Sequence, residues 1–424
     1  MSQRALHSFG GAIFLCSLAS VAVGPLAENV PVWLLIYCLP TLLLAGALFG
    51  RPASNPTVLT VLLWAILIRL PFLWTTPSLS DDIYRYVWEG RVVAEGLDPY
   101  DLPPDSPKLE HLAVGAPERP LVNHPDLPAL YPAGAQWVFA VLSSLGFEEQ
   151  LFRVFFLLCD LALCLVLLAI LRARGSPSGW SLLYAWHPLA AVEVASSGHF
   201  DPLAMLPLLA GFYLWETGRL RRAFLLWGLA AALKFVGGFA SLFGLAVLWR
   251  TRELRDVAIG ATLTVLPLLL LSLPFAVDGS APLGSAKVYG AHWMNFGSVH
   301  ALLSIPLGVH PARVLCVGLG GLWLGWLLWR TDSPVRGFSL LFLGMLLLSP
   351  VVHPWYGLWL LVLLPLWPRL ELFALVSLLP LAYVAWVSSA KGGDWLAPSW
   401  AAWLSYGVPM VLFVWTNRAR KRAG

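Results

Sequence analysis

The stretch from Leu151 to Gly175 reads LFRVFFLLCDLALCLVLLAILRARG. Between residues 154 and 171 it carries a single charged side chain, Asp160, and it then ends in two arginines. An apolar helix of about 20 residues crosses the ~30 Å hydrocarbon layer of a bilayer, and arginines beside its end favour the cytoplasmic side. The stretch therefore predicts a membrane-spanning helix over about 150–171.

Similar apolar runs recur along the whole chain. Hydrophobic residues make up 58% of the 424 residues and charged residues 12%, whereas soluble domains carry about 25% charge. The candidate spans are 8–26, 31–50, 57–74, 150–171, 179–195, 201–216, 223–249, 257–277, 311–329, 337–350, 355–367, 371–387 and 400–416. We predict an all-α polytopic membrane protein, one transmembrane domain over 1–424 with about 12–14 transmembrane helices and an outer amphipathic juxtamembrane helix.

Several other protein classes fit the sequence poorly. The five cysteines form no CxxC pattern, which argues against a disulfide framework or a zinc site. The formal charge of +4 requires no nucleic-acid partner, because basic residues at the ends of spans mark topology. The first apolar run lacks a convincing signal-peptide cleavage site, so we expect it to remain as a span.

The positions of Lys and Arg predict which side each loop occupies. The basic tail NRARKRAG (417–424) and Arg4 are expected in the cytoplasm, and three crossings then place residues 75–132 outside. This segment, which we call the outer loop, holds ten Asp or Glu and four Lys or Arg between residues 75 and 128. Its acidic character agrees with a segment that is translocated freely.

Two further assignments place the remaining arginine-rich loops on the cytoplasmic side. Residues 132–146 are expected to form a short non-crossing or re-entrant helix, and 223–249 two short helices that meet outside at KFVGG (234–238). The arginines then expected inside are Arg51, Arg172, Arg174, Arg219, Arg221, Arg222, Arg250, Arg252, Arg255, Arg330, Arg336 and Arg369. The polar segments expected outside are SSGHFD (196–201), KFVGG, AHWMNFGSVH (291–300), VVHPWYG (351–357) and AKGGD (390–394). We therefore predict a multi-pass protein of the inner (cytoplasmic) cell membrane with an extracytoplasmic active site.

The outer loop opens with an acidic amphipathic pattern, DDIYRYVWEGRVVAEG (81–96). Ser80 is a suitable N-cap, and Asp81 and Asp82 occupy the first turn, where carboxylates favour the helix dipole. Arg85 follows Asp81 by four residues, which allows an ion pair. The pattern predicts a helix lying flat on the membrane, apolar side down. The same pattern is also typical of a capped surface helix without catalytic function.

The order of motifs along the chain resembles the GT-C glycosyltransferases. The motifs are DDIYRYVWEGRVVAEGLDPY (81–100), YP (131–132) opening a helix, WHPLAAVEVASSGHFD (186–201), KF (234–235) and HPWYGLWLLVLLPLW (353–367). They are similar to the bacterial polyprenyl-phosphate-mannose-dependent mannosyltransferases and to the catalytic subunit of the first mannosyltransferase of GPI-anchor synthesis. The resemblance implies an acidic catalytic base in the first large outer loop, a lipid-phosphate sugar donor and inversion at the anomeric carbon.

The resemblance leaves the identity of the base open between two aspartates. This chain has Asp-Asp where relatives have Asp-x-Asp or Asp-Glu. We favour Asp81 as the base, oriented by Arg85, with Asp82 in a supporting role. A divalent cation bound by Asp81 or Asp82 is an open alternative, and no other cofactor is expected.

Cationic and polar side chains on the outer side complete the predicted site. A lipid-phosphate sugar needs a base for the acceptor hydroxyl and cations or donors for the departing phosphate. The candidates for binding substrate or donor phosphate are Arg85, Lys234, His199, Asp201, His292, His353, Tyr131 and His124. Structural roles compete with these assignments. Lys234 is equally suited to an interfacial anchor, the histidines to interfacial hydrogen bonding and Asp201 to capping a helix at Pro202.

Glu193 is an acidic residue inside an otherwise apolar segment. An unpaired carboxylate there is costly, and we expect it to pair with Arg69 or Arg153 in a structural network.

The sequence thus favours an inverting glycosyltransferase, most simply a mannosyltransferase. Its partners would be a polyprenyl-phosphate sugar donor, a lipid or glycan acceptor, and membrane lipids. The alternatives are a transporter or flippase of a lipid-linked sugar and a non-catalytic membrane subunit. Transporters usually contain inverted repeats and midplane charges, and no repeat is detectable in this chain. The absence of an ATP-binding P-loop argues against hydrolysis-driven transport.

Overall fold

A computed structural model describes residues 2–50, 55–146, 149–276, 284–390 and 396–423. In these ranges all regular secondary structure is helical, apart from isolated bridge contacts of Val351 with Asn295 and Phe296. The predicted all-α class of a polytopic membrane protein is confirmed. Arg51 and residues 391–394 of the predicted AKGGD segment lie outside the described residues.

Six helices in the described ranges are long and apolar enough to cross a bilayer. They are Gln3–Ala22, Val30–Phe49, Glu149–Ala173, Leu254–Ala276, Val309–Arg330 and the partly 3-10 segment Leu370–Ser389. Four shorter apolar segments are Val58–Trp74, Phe235–Arg250, Pro334–Leu348 and Pro354–Leu366. The remaining helices of nine or more residues are Asp82–Ala94, Ala133–Ser144, Asp201–Glu216, Leu220–Leu233, Gly284–His292, Val299–Leu307 and Ser399–Ala423. Most of the predicted spans coincide closely with these helices, except for 179–195 and 355–367, which are made of several short pieces. A total of 12–14 crossings stays a prediction.

The apolar run at 223–249 is divided as predicted. Helices Leu220–Leu233 and Phe239–Arg250 flank the short 3-10 turn Phe235–Gly238. Lys234 ends the first helix in an extended conformation, with φ −152° and ψ 119°. At this break the backbone of Lys234 therefore leaves the helical conformation.

The predicted span at 179–195 is not a single helix. It consists of a 3-10 turn Ser178–Ser181, two short α-helices Leu182–Ala185 and Pro188–Ala190, and a π-helical turn Ala191–Ser196. Pro188 explains the break, because proline lacks an amide donor and holds the preceding residue in an extended conformation. We call residues 178–200 the broken segment.

The helix Asp82–Ala94, which we call the carboxylate helix, is enclosed on most of its faces. It packs on helix Ala133–Ser144 so closely that a methyl group at Gly90 would clash with the Phe139 carbonyl oxygen. On another face Trp88 packs in a small cluster with apolar side chains of the outer loop. The expected burial of its apolar face in the bilayer is corrected, because Tyr86, Val87 and Trp88 on that face are buried by protein. A flat orientation of the helix relative to the membrane stays a prediction.

Contacts within the outer loop hold it over the carboxylate helix. The backbone amide of Asp105 donates to Pro125 O at 3.0 Å, and the Tyr100 hydroxyl donates to Tyr131 O at 2.6 Å. Arg91 on the carboxylate helix forms an ion pair with Glu118 of the loop. These contacts hold the part of the outer loop that follows the aspartate pair against the carboxylate helix.

Candidate active site

One side-chain amide joins the two adjacent aspartates. Asn123 Nδ2 donates to Asp81 Oδ1 at 2.7 Å and to Asp82 Oδ1 at 2.8 Å. The helix begins at Asp82, so Asp81 rather than Ser80 stands at the N-cap position, and its side chain caps no backbone amide. Ser80 Oγ accepts from the Asp82 amide at 3.3 Å. The sequence analysis missed Asn123, because a lone amide in a loop has no periodic pattern.

Arg85 holds Asn123 in place. Its Nε donates to Asn123 Oδ1 at 2.9 Å, and its Nη1 to Glu89 Oε1 at 3.0 Å and Leu127 O at 3.1 Å. Its Nη2 donates to the carbonyl oxygens of Asn123 and His124. The guanidinium is buried with every N–H group directed at a protein acceptor. The expectations that Arg85 contacts the phosphate and orients Asp81 directly are therefore corrected. Arg85 acts on the aspartates indirectly, by holding Asn123.

Asp82 faces a more enclosed environment than Asp81. The hydroxyls of Tyr131 and Tyr86 lie 3.4 Å and 3.5 Å from Asp82 Oδ2, and Asp82 is half-buried whereas Asp81 is exposed. Burial, followed by the negative charge of Asp81, raises the pKa of Asp82 above its ordinary value, and the Asn123 hydrogen bond opposes this shift. A carboxyl group with a raised pKa is a better proton acceptor.

His199 lies deeper, between Asp82 and Glu193. Its Nδ1 is 4.0 Å from Asp82 Oδ2 and its Nε2 is 3.4 Å from Glu193 Oε2. The Tyr383 hydroxyl lies 3.0 Å from both Glu193 carboxylate oxygens. His199 also stacks on Trp355, with ring centroids 4.1 Å apart. The site therefore contains a buried acid–imidazole pair that the sequence did not predict.

Lys234 forms an ion pair with Asp201, so it is not an unpaired anchor at the membrane interface. Its Nζ lies 2.5 Å from Asp201 Oδ1, and Trp359 Nε1 donates to the same oxygen at 2.5 Å. The ammonium also lies 4.9 Å from the centre of the Phe200 ring. Asp201 is fully buried and begins a helix, but its side chain bonds to Lys234 and Trp359 instead of capping backbone amides.

The other candidate residues lie around this cluster. The His353 ring stacks on Trp355 at 4.3 Å, so it shares an aromatic neighbour with His199. The His124 ring is exposed and lies 4.7 Å from the Trp293 ring. His292 is exposed, and its Nδ1 lies 3.1 Å from a carbonyl of its own helix. Neither His124 nor His292 contacts Asp82 or Lys234 in the described part of the chain.

The expected pairing of Glu193 with an arginine is wrong. Arg69 pairs with Asp160, which also accepts from the Tyr184 hydroxyl at 2.5 Å. Arg153 donates instead to carbonyl oxygens, including Ala195 O at 2.7 Å. Glu193 lies in the π-helical turn Ala191–Ser196, and its carboxylate lies beside His199 instead of an arginine.

No metal site is evident among the described residues. Within them no group of three or more His, Cys, Asp or Glu side chains is arranged to hold an ion. A divalent cation bound by Asp81 or Asp82 stays a hypothesis.

Comparison with known proteins gives matches over most of the chain. A family model described as Alpha-(1->6)-mannopyranosyltransferase, N-terminal domain, matches residues 11–251, and one described as MptB C-terminal domain matches residues 289–418. The chain is similar to Alpha-(1->6)-mannopyranosyltransferase B of Corynebacterium glutamicum, with 27% identity over 72% of this chain and 58% of the relative. It is also similar to Alpha-(1->6)-mannopyranosyltransferase A of Mycobacterium tuberculosis, with 24% identity over 75% of this chain and 67% of the relative. No solved structure matches it.

Proposed function

Because this chain belongs to the alpha-(1->6)-mannopyranosyltransferase family, we propose that it is a membrane mannosyltransferase that uses a polyprenyl-phosphate mannose donor and inverts the anomeric carbon. The chain spans 58% and 67% of the lengths of these two curated relatives. Its activity and its substrates are therefore proposals. The observation that carries the proposal is the enclosed Asp82 carboxylate, fixed by Asn123 and close to a lysine-bearing polar cluster.

We assign Asp82 as the general base. It deprotonates the acceptor hydroxyl while that oxygen forms a bond to the anomeric carbon, a contribution typically worth about 10²–10⁴-fold. Asp82 is preferred over Asp81 for two reasons. Asp82 faces the tyrosines and His199, and Lys234 lies close enough to influence its pKa. This choice reverses the preference for Asp81 that the sequence resemblance suggested.

Lys234 is the proposed partner of the leaving phosphate. As the bond from the anomeric carbon to the phosphate oxygen breaks, its electron pair stays on the phosphate, which becomes more negative. The Lys234 side chain is partly exposed beside Asp201, and in this proposal its exposed part meets the phosphate. Positive groups directed at developing charge stabilise the transition state strongly.

The proposed acceptor is a lipid or glycan at the extracytoplasmic face of the cell membrane. The acidic outer loop and the arginine-rich loops on the opposite side support this orientation. Single cysteines at Ser106 and Ser176 in a cysteine-free chain test it in intact cells. An impermeant reagent is expected to label residue 106 alone, and equal labelling of both would overturn the orientation.

The activity is tested with the purified full chain in liposomes. Radiolabelled polyprenyl-phosphate mannose and nucleotide-linked mannose are each supplied with a mannosylated glycolipid acceptor, and the product is analysed by mass spectrometry. We expect a new glycosidic bond only with the lipid donor. Transfer only from the nucleotide donor would overturn the donor assignment. Movement of the lipid donor across the bilayer with no new bond would favour a flippase.

A further inference from the structure

A line of buried polar side chains continues from Asp82 into the helical bundle. It runs from Asp82 through His199 to Glu193 and ends at the Tyr383 hydroxyl. His199 and Glu193 are both fully buried. Within the described part of the chain neither ring nitrogen of His199 makes a hydrogen bond, although each points toward a carboxylate. An unused imidazole in this position requires an explanation, because buried polar atoms are normally paired.

The backbone brings Glu193 and His199 together in an unusual way. Glu193 lies in the π-helical turn Ala191–Ser196, and the His199 amide donates to the Glu193 carbonyl at 2.9 Å. Gly198 adopts φ +74°, and a methyl group there would lie 2.9 Å from Ile83 Cδ1 on the carboxylate helix. Single π-helical turns frequently occur at functional sites. The turn and the glycine together place an imidazole against the carboxylate helix.

Glu193 also differs from the other buried acids in its partner. Five other largely buried carboxylates in the described ranges pair with a lysine or an arginine. These pairs are Asp160 with Arg69, Glu89 with Arg85, Glu118 with Arg91, Asp201 with Lys234 and Glu371 with Arg369. The ion-pair partner of Glu193 is His199, whose charge depends on protonation. A carboxylate beside a titratable imidazole is better suited to proton transfer than to a permanent ion pair.

We propose that Glu193 and His199 form a proton relay behind Asp82, an inference that rests on the proposed transferase function. In the resting site His199 is neutral, directs its Nε2–H at the Glu193 carboxylate 3.4 Å away and presents its Nδ1 lone pair to Asp82. After Asp82 has taken the acceptor proton, that proton passes to His199 Nδ1, and Glu193 stabilises the resulting imidazolium. The proton returns through Asp82 to water at the outer face when the product leaves. The transfer to His199 restores Asp82 as a carboxylate, and the release of the proton to water restores neutral His199.

The geometry sets the conditions for this transfer. The 4.0 Å separation of His199 Nδ1 and Asp82 Oδ2 is longer than a hydrogen bond, so the relay requires these two atoms to approach each other when substrate binds. The charged and titratable groups that face His199 are Asp82, Glu193, Lys234 and His353. Lys234 opposes an imidazolium and is itself paired with Asp201. The Glu193 carboxylate therefore supplies the compensating negative charge.

The relative activities of two conservative variants distinguish a proton relay from a packing role of Glu193. Glu193→Gln keeps the length and can still accept from Tyr383, but it cannot stabilise an imidazolium. Glu193→Asp keeps the charge and shortens the side chain. We expect Glu193→Gln to lower kcat at least about tenfold, part of the about 10²–10⁴-fold that acid–base catalysis supplies, with the donor KM unchanged. Glu193→Asp should retain more activity than Glu193→Gln, and the matched pair Glu371→Gln and Glu371→Asp should leave kcat unchanged.

Wild-type kcat in Glu193→Gln, or more activity in Glu193→Gln than in Glu193→Asp, would overturn the relay. If Glu193→Gln fails to fold, His199→Phe decides, because it keeps the ring stacked on Trp355 and removes both nitrogens. A kcat at least about tenfold lower supports the relay, and an unchanged kcat contradicts it. Full activity in Asp82→Asn would show that Asp82 is not the base. A failure of the proposed function is therefore distinguishable from a failure of the relay alone.

Discussion

The side-chain amide of Asn123 lies 2.8 Å from Asp82 Oδ1, across 41 residues of sequence. The same amide lies 2.7 Å from Asp81 Oδ1, so one side chain sets the separation of two like charges. Arg85 in turn fixes the carbonyl end of that amide at 2.9 Å. The orientation of both aspartates therefore depends on the fold of the outer loop.

Asn123→Ala is expected to lower mannosyl transfer without unfolding the chain. The change removes the hydrogen bond that orients the base Asp82, and a hydrogen bond to a charged group is typically worth about 1.5–3 kcal/mol, so we expect kcat/KM to fall about 10- to 100-fold. Steady-state kinetics and a thermal unfolding curve measure the two effects. Asn29→Ala, at a half-buried asparagine whose side-chain amide donates to the nearby Pro25 carbonyl, is the control. Unchanged kinetics in Asn123→Ala would contradict the positioning role.

Asp81→Asn is expected to shift the acid limb of the pH–rate profile to lower pH. The base acts when deprotonated, so the rate rises as the pH increases through the pKa of Asp82, which burial and then the charge of Asp81 raise. Removing the Asp81 charge lowers that pKa, and the half-maximal rate should occur at a lower pH. Asp126→Asn, at an exposed acid of the same loop, should cause no shift. An inactive Asp81→Asn would instead make Asp81 the base.

Lys234 and Asp201 are best tested as a pair. Lys234→Met alone leaves the buried Asp201 carboxylate without its cation, which typically costs about 3–5 kcal/mol. The double variant Lys234→Met, Asp201→Asn removes both charges and should unfold near the wild-type temperature. We expect its donor KM to rise about 10- to 100-fold, from the loss of a charged contact worth about 1.5–3 kcal/mol. A stable double variant with a wild-type donor KM would exclude Lys234 from phosphate binding.

Gly198→Ala is expected to destabilise the chain and reduce activity. An alanine at φ +74° is strained, and its methyl group would also meet the fully buried Ile83. Gly96→Ala is a matched control, because Gly96 has φ +75° with open space around it and the left-handed conformation itself costs about 1–2 kcal/mol. The difference in unfolding temperature between the two variants isolates the contact with the carboxylate helix. Equal effects of both variants would show that this contact is unimportant.

Most of the helical framework was predictable because its signal is local. The run at 150–171 became helix Glu149–Ala173, and the KFVGG break separated two helices as expected. Family membership confirms the GT-C resemblance drawn from the motif order. The short helices Gly284–His292 and Val299–Leu307 were missed, because their length and mixed polarity resemble a loop.

The contacts of the candidate site were less predictable because they join distant residues. Tyr383 meets Glu193 across 190 residues, and Trp359 meets Asp201 across 158. Apolar periodicity reveals which residues enter the bundle but not which polar groups meet there. The π-helical turn that directs Glu193 away from the arginines likewise has no local sequence signature.

The most direct test compares Asp82→Asn with Asp81→Asn in mannosyl transfer from polyprenyl-phosphate mannose under single-turnover conditions. Both substitutions preserve side-chain shape and remove one negative charge, and donor binding and thermal unfolding are measured on the same samples. We predict that Asp82→Asn slows transfer at least about 10²-fold, the lower range for a lost general base, whereas donor binding and unfolding remain near wild type. Asp81→Asn should retain most of the activity at neutral pH. Wild-type transfer by Asp82→Asn would contradict the assignment of Asp82 as the base.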